Sequence, residues 1–426
     1  MVLKNNKLYL YITALILLLQ LPLSAQKYLS TPYSRLGLGE MQPRNSVAGR
    51  MLGGTSYASR ENTWVNVQNP ASYTAFDSLT SVIDGAFFLH SHTLSEGGVS
   101  QRGTTASMDY LYLGLPVINR VWAMGAGIQP FASVNYDYVF EDDMLSRIDR
   151  GEGGVYEVFW GNAFQFCPAF SIGVQVSYLF GTSLKTHELS FSDESFLSSR
   201  TLDENRMSGF LFNFGLQYEK TFGQKKLGVG MVFSPSLPAC CHADSRLYHL
   251  NYFKEGIEES VLDTLKWDAA EKTSRRLDVR NPMNIGFGLS LSETDKFWIG
   301  ADVTWTEWSR FSLGDVSDSL ADLLRFSVGG CWIPNALSSH YFMKVNYSLG
   351  GFYEKNYICV GEHQMHRMGL DVGFSFPMKK SRSKLGICLE IGTFRTSDGS
   401  GIQEQYRRLI LQVQLHEKWY QRRRLD

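Results

Sequence analysis

The residues of this chain that offer chemistry are few and widely separated. His363 and His366 in GEHQMHR have the composition of a metal site, but positions three apart on a β-strand point to opposite faces. There is no G-x-S-x-G motif, and no spacing of serine, histidine and acidic residues singles out a catalytic triad. The sequence therefore predicts no enzyme, no metal site and no cofactor.

Five isolated charges remain as candidate site residues, because each falls among small or polar residues of an alternating segment. They are Asp302, Lys344, Asp371, Glu390 and Arg408. Enclosed charges are tolerated when they are paired. Two roles stay open for them: ion pairs that anchor another part of the chain, or contacts to the headgroup of a ligand.

The six cysteines indicate neither a metal site nor a framework of disulfides. They are scattered and form no C-x-x-C motif, and a chain of 426 residues does not need disulfides to hold its core together. We expect ordinary thiols, with a disulfide involving the adjacent Cys240 and Cys241 as the alternative.

The segments that carry the isolated charges alternate with a period of two. In MGLDVGFSF (368–376), large apolar residues alternate with glycine, aspartate and serine, and 285–291, 385–391 and 408–416 repeat the pattern. Alternation of this kind indicates half-buried β-strands. Fourteen such segments are predicted, at 81–95, 104–115, 120–139, 154–166, 169–190, 206–222, 225–240, 276–291, 296–310, 322–333, 340–353, 364–376, 383–396 and 405–418.

The lengths of these segments separate a membrane barrel from a soluble β-sandwich. A tilted transmembrane strand needs about 9–11 residues, whereas a typical strand of a globular protein has about 5–6. Short turns alternate with long polar connections at 141–154, 190–205 and 241–274, as in outer-membrane barrels. We predict an all-β, antiparallel transmembrane barrel of about 14 strands in residues 81–419.

A net charge of −1 gives no indication of nucleic-acid binding.

The ends of the chain predict export. Residues 1–25 combine Lys4 and Lys7 with an apolar run and end at Ala25, which indicates a cleaved signal peptide; a retained anchor helix is the alternative. Residues 420–426 form a basic tail on the periplasmic side. We expect the tail to be solvated, with contact to phospholipid headgroups or an assembly factor as the alternative.

Residues 26–80 alternate poorly and are too long for a simple lead-in. A barrel of fourteen strands is too wide for its own side chains to fill, since about eight strands is the size at which they suffice. We predict that this segment is a plug, or hatch, inside the lumen. Pro70 favours an extended Asn69, so the Asn-Pro-Ala step is expected to be a rigid turn that leads to the first strand.

The plug also carries a family resemblance. The motif residues are Gly49, Arg50, Gly53, Gly54, Ala58, Asn66, Asn69, Pro70 and Ala71. Their pattern resembles the N-terminal hatch of the long-chain fatty-acid transporter (FadL-like) family of outer-membrane barrels, and the ending LHEKWYQRRRLD is similar to the ends of FadL-like barrels from Bacteroidetes.

The resemblance implies an integral outer-membrane protein that contacts lipid and passes hydrophobic small molecules, such as fatty acids. It also implies a lateral opening at a kink of the third strand. Gly125, Gly127 and Pro130 lie in that strand, where a proline lacks the N–H that a β-ladder needs. The alternative is a proline at a bulge beyond the membrane band.

The resemblance is compatible with a second function. FadL-like barrels also serve as subunits of secretion or protein-assembly complexes, in which nothing need be transported. A protein partner would then bind outside the lumen, and residues 241–274 are the predicted place. The alternative for these residues is a solvated extracellular loop.

Overall fold

The computed structural model describes residues 32–193, 198–250, 269–311, 320–379 and 381–418. The predicted signal peptide and the basic tail lie outside these residues. In the described part of the chain, no helix is long and apolar enough to span a membrane.

The described chain is almost entirely β-structure. Its strands are β1 (Glu40–Met41), β2 (Thr80–Glu96), β3 (Val99–Ile118), β4 (Trp122–Ser133), β5 (Tyr136–Glu141), β6 (Leu145–Cys167), β7 (Phe170–Phe191), β8 (Ser198–Phe222), β9 (Lys225–Ser234), β10 (Pro238–Leu250), β11 (Ala269–Arg280), β12 (Asn284–Glu293), β13 (Phe297–Thr306), β14 (Leu323–Trp332), β15 (Asn346–Val360), β16 (His363–Pro377), β17 (Lys384–Thr396) and β18 (Gln403–Lys418).

Strands β2 to β18 form fourteen antiparallel barrel strands. Three of the fourteen are interrupted, and each of these three is numbered as two strands. The interruptions separate β4 from β5, β9 from β10, and β11 from β12. Pro235 and Pro282 lie in the second and third interruptions, where a missing N–H ends the ladder. The last strand, β18, pairs with β2 along its whole length and closes the sheet. The predicted antiparallel barrel of about 14 strands is confirmed.

The two faces of the wall have opposite polarity. On β16 the outward Leu370 is 66% exposed, whereas the inward Asp371 is 1% exposed. Phe87, Leu89 and Trp160 are among many other large apolar residues on the outside. Because hydrocarbon takes the place of water on an outer surface of this kind, the barrel is an integral outer-membrane protein.

The strands at one end of the barrel are longer than the sequence predicts. Residues 145–154 and 198–205 continue β6 and β8, and 241–250 and 269–274 continue β10 and β11; all of these were expected to be loop. Both faces of these extensions are polar, so their sequence lacks the alternation that marks a membrane strand. Residues 251–268 of the expected loop 241–274 lie outside the described residues. Longer connections mark this end as extracellular.

Residues 32–79, here called the N-terminal segment, run through the lumen from one end to the other. Tyr33 donates to the carbonyl of Ile402 (3.1 Å) at the extracellular end, and Asp77 is paired with Arg382 in the opposite turn. Besides β1, the segment contains the helix α1 (Val47–Arg50) and the 3₁₀ helices Pro32–Arg35 and Pro70–Ala75. Most of its side chains between residues 45 and 76 are buried.

Candidate functional site

The Asn-Pro-Ala step begins the 3₁₀ helix Pro70–Ala75, which packs against the inner wall before the first strand starts at Thr80. Asn69 is extended, and its Oδ1 accepts from the Ala71 amide (3.2 Å). Its Nδ2 donates to the carbonyls of Tyr57 (2.8 Å) and Leu216 (3.2 Å). Asn69 therefore joins two parts of the N-terminal segment to β8.

Asn66 holds the turn that precedes this step. Its Nδ2 donates to the Ser56 carbonyl (2.7 Å), and its Oδ1 accepts from the Asn69 amide (3.3 Å). Because both bonds stay within the N-terminal segment, Asn66 fixes the shape of the segment and not its attachment to the wall.

The predicted glycines let α1 and the turn after it touch the wall. Gly53 has φ +72°, and a Cβ added there would overlap the backbone of Gly351 on β15. Gly54 follows with φ +87°, and Gly49 lies inside α1 against the Asn45 side chain. Arg325 of β14 donates to the Gly53 carbonyl (3.1 Å), so this turn is bonded to the wall as well as packed on it.

Two buried acids of the wall hold the N-terminal segment. Arg50 is 4% exposed and is paired with Asp109 of β3 (3.0 Å). Asp302 of β13 accepts from the amides of Ser56 (2.6 Å) and Tyr57 (2.9 Å). Of the five candidate lumen charges, Asp302 is thus the one with hydrogen bonds to this segment.

Strands β3 and β4 separate next to the predicted lateral opening. The ladder between β3 and β4 ends at Leu111–Ile128, although β3 continues to Val99 in contact with β2. Gly125 and Gly127 lie within the paired part of β4, and Pro130 lies beyond it, opposite Tyr156 of β6. The register shifts between Pro130 and Ala132, so the proline is at a bulge.

The N-terminal segment occupies the edge that β3 leaves. In β1, Glu40 stands opposite Ser133 and Met41 opposite Ala132, and the Gln42 amide donates to the Phe131 carbonyl (3.0 Å). Behind this contact a hydrogen-bonded group spans the gap. Arg44 binds the buried Glu157 with two bonds (2.9 and 2.6 Å), Gln129 donates to Glu157 (2.7 Å), and Tyr112 donates to Gln129.

Three of the candidate lumen charges form one row across the wall. Asp371, Glu390 and Arg408 stand opposite one another on β16, β17 and β18. Tyr406 also donates to Glu390 (2.8 Å). The geometry places these charges beside each other, and Asp371 and Glu390 line a central cavity.

Lys344 does not lie on a strand as the sequence predicts, so that prediction is wrong. It ends the 3₁₀ turn Tyr341–Lys344 and is not on a strand, because β15 starts only at Asn346. The connection folds back on itself through a bond from the Asn335 amide to the Met343 carbonyl (2.8 Å), which delays the strand.

The cavity above α1 has a volume of about 250 Å³ and a mixed lining. Phe131, Phe352 and Phe394 supply apolar surface. The charged residues of the lining are Glu40, Arg44, Arg50, Arg325, Glu354, Arg367, Asp371 and Glu390. Arg325 pairs with Glu354 (3.1 Å) and Arg367 with Glu40 (2.9 Å). Charge in this lumen is therefore largely compensated within the protein.

The two histidines of GEHQMHR have separate partners. His363 lies 3.3 Å from Asp398, and His366 is bonded to the Tyr353 hydroxyl (2.8 Å). All six cysteines carry free thiols, and Cys240 and Cys241 are consecutive residues of β10.

Sequence reasoning did not single out Asp109, Glu157, Arg325 or Arg367. Each is a lone charge on the inner face of a strand, the same signal that selected Asp302. The sequence alone does not show which charges meet. The tertiary structure brings Asp109 to Arg50 and Glu157 to Arg44 of the N-terminal segment.

Comparison with solved structures shows the fold. The chain is similar to the Ralstonia pickettii toluene transporter TbuX (TM-score 0.60, 13% identity, 89% of this chain and 99% of that one). It is also similar to a Pseudomonas aeruginosa FadL homologue (0.59, 13%, 90% and 100%) and to the Pseudomonas putida toluene transporter TodX (0.56, 12%, 88% and 98%). The FadL-like architecture is confirmed.

Comparison of sequences gives the family. No curated protein matches the chain. The sequence model of the BamG family matches residues 6–426, nearly the whole length. The chain therefore belongs to the BamG family.

Proposed function

We propose that this protein is a membrane-embedded, non-conducting subunit of an outer-membrane protein complex, with the N-terminal segment acting as a fixed plug. The observation that carries the proposal is the placement of β1 on the edge of β4, where the wall parts from β3. The place where an apolar molecule would leave the lumen is filled by the chain itself.

The electrostatics behind β1 support the same role. The Arg44–Glu157–Gln129–Tyr112 group is charged and bonded throughout. A hydrocarbon passing this point would have to displace these bonds and gain none, at a cost of about 1–3 kcal/mol for each buried group left unpaired. Membership in the BamG family also favours this role.

The extracellular strand extensions offer a surface for a partner. Among the residues that the structure describes, β11 has a ladder only with β10, and Arg275 and Arg280 are exposed along it. An extended acidic segment of another protein could add to this edge by backbone hydrogen bonds. The predicted partner surface at 241–274 thus becomes, in this proposal, the β10–β11 hairpin.

Affinity purification from native outer membranes tests the proposal. We expect a partner in stoichiometric amount, and we expect Arg275→Glu with Arg280→Glu to reduce its recovery. The matched control is Arg102→Glu on the β2–β3 hairpin, an exposed arginine on another extracellular hairpin. A protein that purifies alone in mild detergent, with a lipid in its lumen, would refute the subunit role.

Uptake of hydrophobic molecules is the second candidate, and the wall supplies an observation in its favour. Outside the point where the β3–β4 ladder ends lies an apolar depression lined by Leu111, Gly127, Ile128, Trp160, Tyr178 and Phe210. If β1 could detach from β4, this depression would connect the lumen to the bilayer near Pro130.

A disulfide between β1 and β4 distinguishes the two candidates. Met41 and Ala132 stand directly opposite each other, a geometry that Met41→Cys with Ala132→Cys can bridge. If the barrel is a transporter, oxidation blocks uptake of toluene and oleate and a reductant restores it. If the barrel is a subunit, the oxidised protein retains its partner. Each single-cysteine variant controls for the native thiols.

A further inference from the structure

His90, His92 and Glu404 form a cluster near the extracellular end of the lumen, in which His92 and Glu404 are buried and His90 is half-buried. His90 and His92 are two apart on β2, so both face inward. Glu404 is on β18, the strand that closes the barrel against β2. One ligand atom from each residue lies within 4.8 Å of the other two.

The hydrogen bonding of this cluster is incomplete. His92 is 1% exposed, and neither of its ring nitrogens has a partner. Glu404 is 4% exposed, and its Oε2 is also without a partner, while Oε1 is 3.6 Å from His90 Nε2. Arg367, a neighbouring cation, is engaged by Glu40 at 2.9 Å. Buried polar groups in this state imply a missing binding partner, because each costs about 1–3 kcal/mol when unsatisfied.

We propose that His90, His92 and Glu404 bind one Zn²⁺ ion, which joins the first and last strands of the barrel. Two imidazoles and a carboxylate are a known three-ligand set for zinc. Ligand atoms around tetrahedral zinc are about 3.3 Å apart. Side-chain rotation can contract the cluster to this size, because all three residues occupy adjacent strands of the same sheet.

Arg408 competes with the metal. Its Nε donates to His90 Nδ1 (3.3 Å), which leaves the ring proton on Nε2, facing Glu404. Coordination through Nε2 requires that proton to move to Nδ1, so the arginine must withdraw. It can keep its contact with the Phe88 ring, which lies 5.2 Å from the guanidinium carbon.

The sequence predicts no metal site at His363 and His366, because these two histidines are three residues apart. The spacing of His90 and His92 is the one that places two ligands on one face of a strand. Glu404 joins them only through the closure of the barrel.

Zinc binding to the full mature protein in detergent tests the proposal. After removal of metal with a chelator, we expect one Zn²⁺ per chain by calorimetry and by elemental analysis, and no binding of Mg²⁺ or Ca²⁺. His92→Gln and Glu404→Gln should each weaken binding by at least about 100-fold, beyond the roughly 10–100-fold typical of second-shell changes. Arg408→Met should tighten it.

The matched control is His187→Gln, which removes a histidine paired with Asp149 (2.7 Å) outside the cluster. Heat-modifiable migration on gels verifies that each variant is a folded barrel. Zinc should raise the temperature of this transition in the wild type and not in His92→Gln. Equal zinc binding by wild type and folded His92→Gln, or a Co²⁺ absorption spectrum that His92→Gln leaves unchanged, would overturn the proposal.

Discussion

At the residue scale, the interior of this barrel is held by single charged side chains that each have a specific partner. Arg50 pairs with Asp109, Arg44 pairs with Glu157, and Asp302 accepts hydrogen bonds from two backbone amides. These contacts connect the N-terminal segment to three different regions of the wall. Tyr57, whose amide donates to Asp302, also has a buried side chain. Burial raises the pKa of Tyr57 to about 12, so its hydroxyl stays neutral and hydrogen-bonded to Thr304 (2.8 Å).

Removing one member of the Arg50–Asp109 pair leaves a buried charge without compensation. We expect Arg50→Met to destabilise the barrel by about 3–5 kcal/mol in urea unfolding, and Arg50→Met with Asp109→Leu to recover most of the loss. The exposed pair Arg206–Glu204 (2.8 Å) is the control. Arg206→Met should cost less than about 1 kcal/mol. Equal losses at both sites would contradict the assigned role.

At the element scale, the N-terminal segment can fill the lumen because the wall has glycines, which lack side chains, where the segment touches it. Glycines on the inner face admit its backbone: Gly350 beside Gly53, Gly230 beside Tyr57, and Gly373 beside Met51. These glycines sit in the alternating pattern where a lumen-facing side chain would otherwise project. The wall and the segment are therefore complementary in shape.

Gly53 is the sharpest test of this complementarity. Gly53→Ala should lower the melting temperature strongly and loosen the segment, because the added methyl both strains φ +72° and overlaps β15. Gly97→Ala is matched in backbone, with φ +57°, but has open space around it. It should show only the conformational cost of about 1–2 kcal/mol. Proteolysis of the N-terminal segment reports the loosening directly; similar effects in both variants would exclude the steric contact.

At the scale of the whole molecule, fourteen strands enclose a space that the side chains of the wall cannot fill. The N-terminal segment and its ion pairs occupy the lower part, and a cavity of about 250 Å³ remains above it. The number of strands thus makes the barrel wide, and under the proposed function the N-terminal segment closes it.

Conductance in planar bilayers measures this closure. The full mature chain should be nearly silent, whereas a chain lacking residues 27–79 should open a stable ion-conducting pore, since no other part of the chain that the structure describes spans the lumen. The chain with Met41→Cys and Ala132→Cys, oxidised, is the control for a fixed segment and should match the full chain. Conductance of the full chain equal to that of the truncated one would refute the closed state.

The sequence by itself determined the class of structure. Period-two alternation over fourteen segments predicts strands, their length predicts a membrane barrel, and one apolar face per strand predicts the lipid side, because these are local properties of the chain. The polar extensions of β6, β8, β10 and β11 were missed for the same reason, since above the membrane neither face needs to be apolar.

Only the tertiary structure decided which charges meet. Register across the closing strands brings Glu404 to His90 and His92, and the path of the N-terminal segment brings β1 to the edge that β3 leaves. Such contacts join residues more than 300 and about 90 positions apart, respectively, as in the pairs Gln403–Ser95 and Glu40–Ser133. No local pattern encodes them, because a shift of register changes the partners of every residue while leaving each strand's own alternation intact.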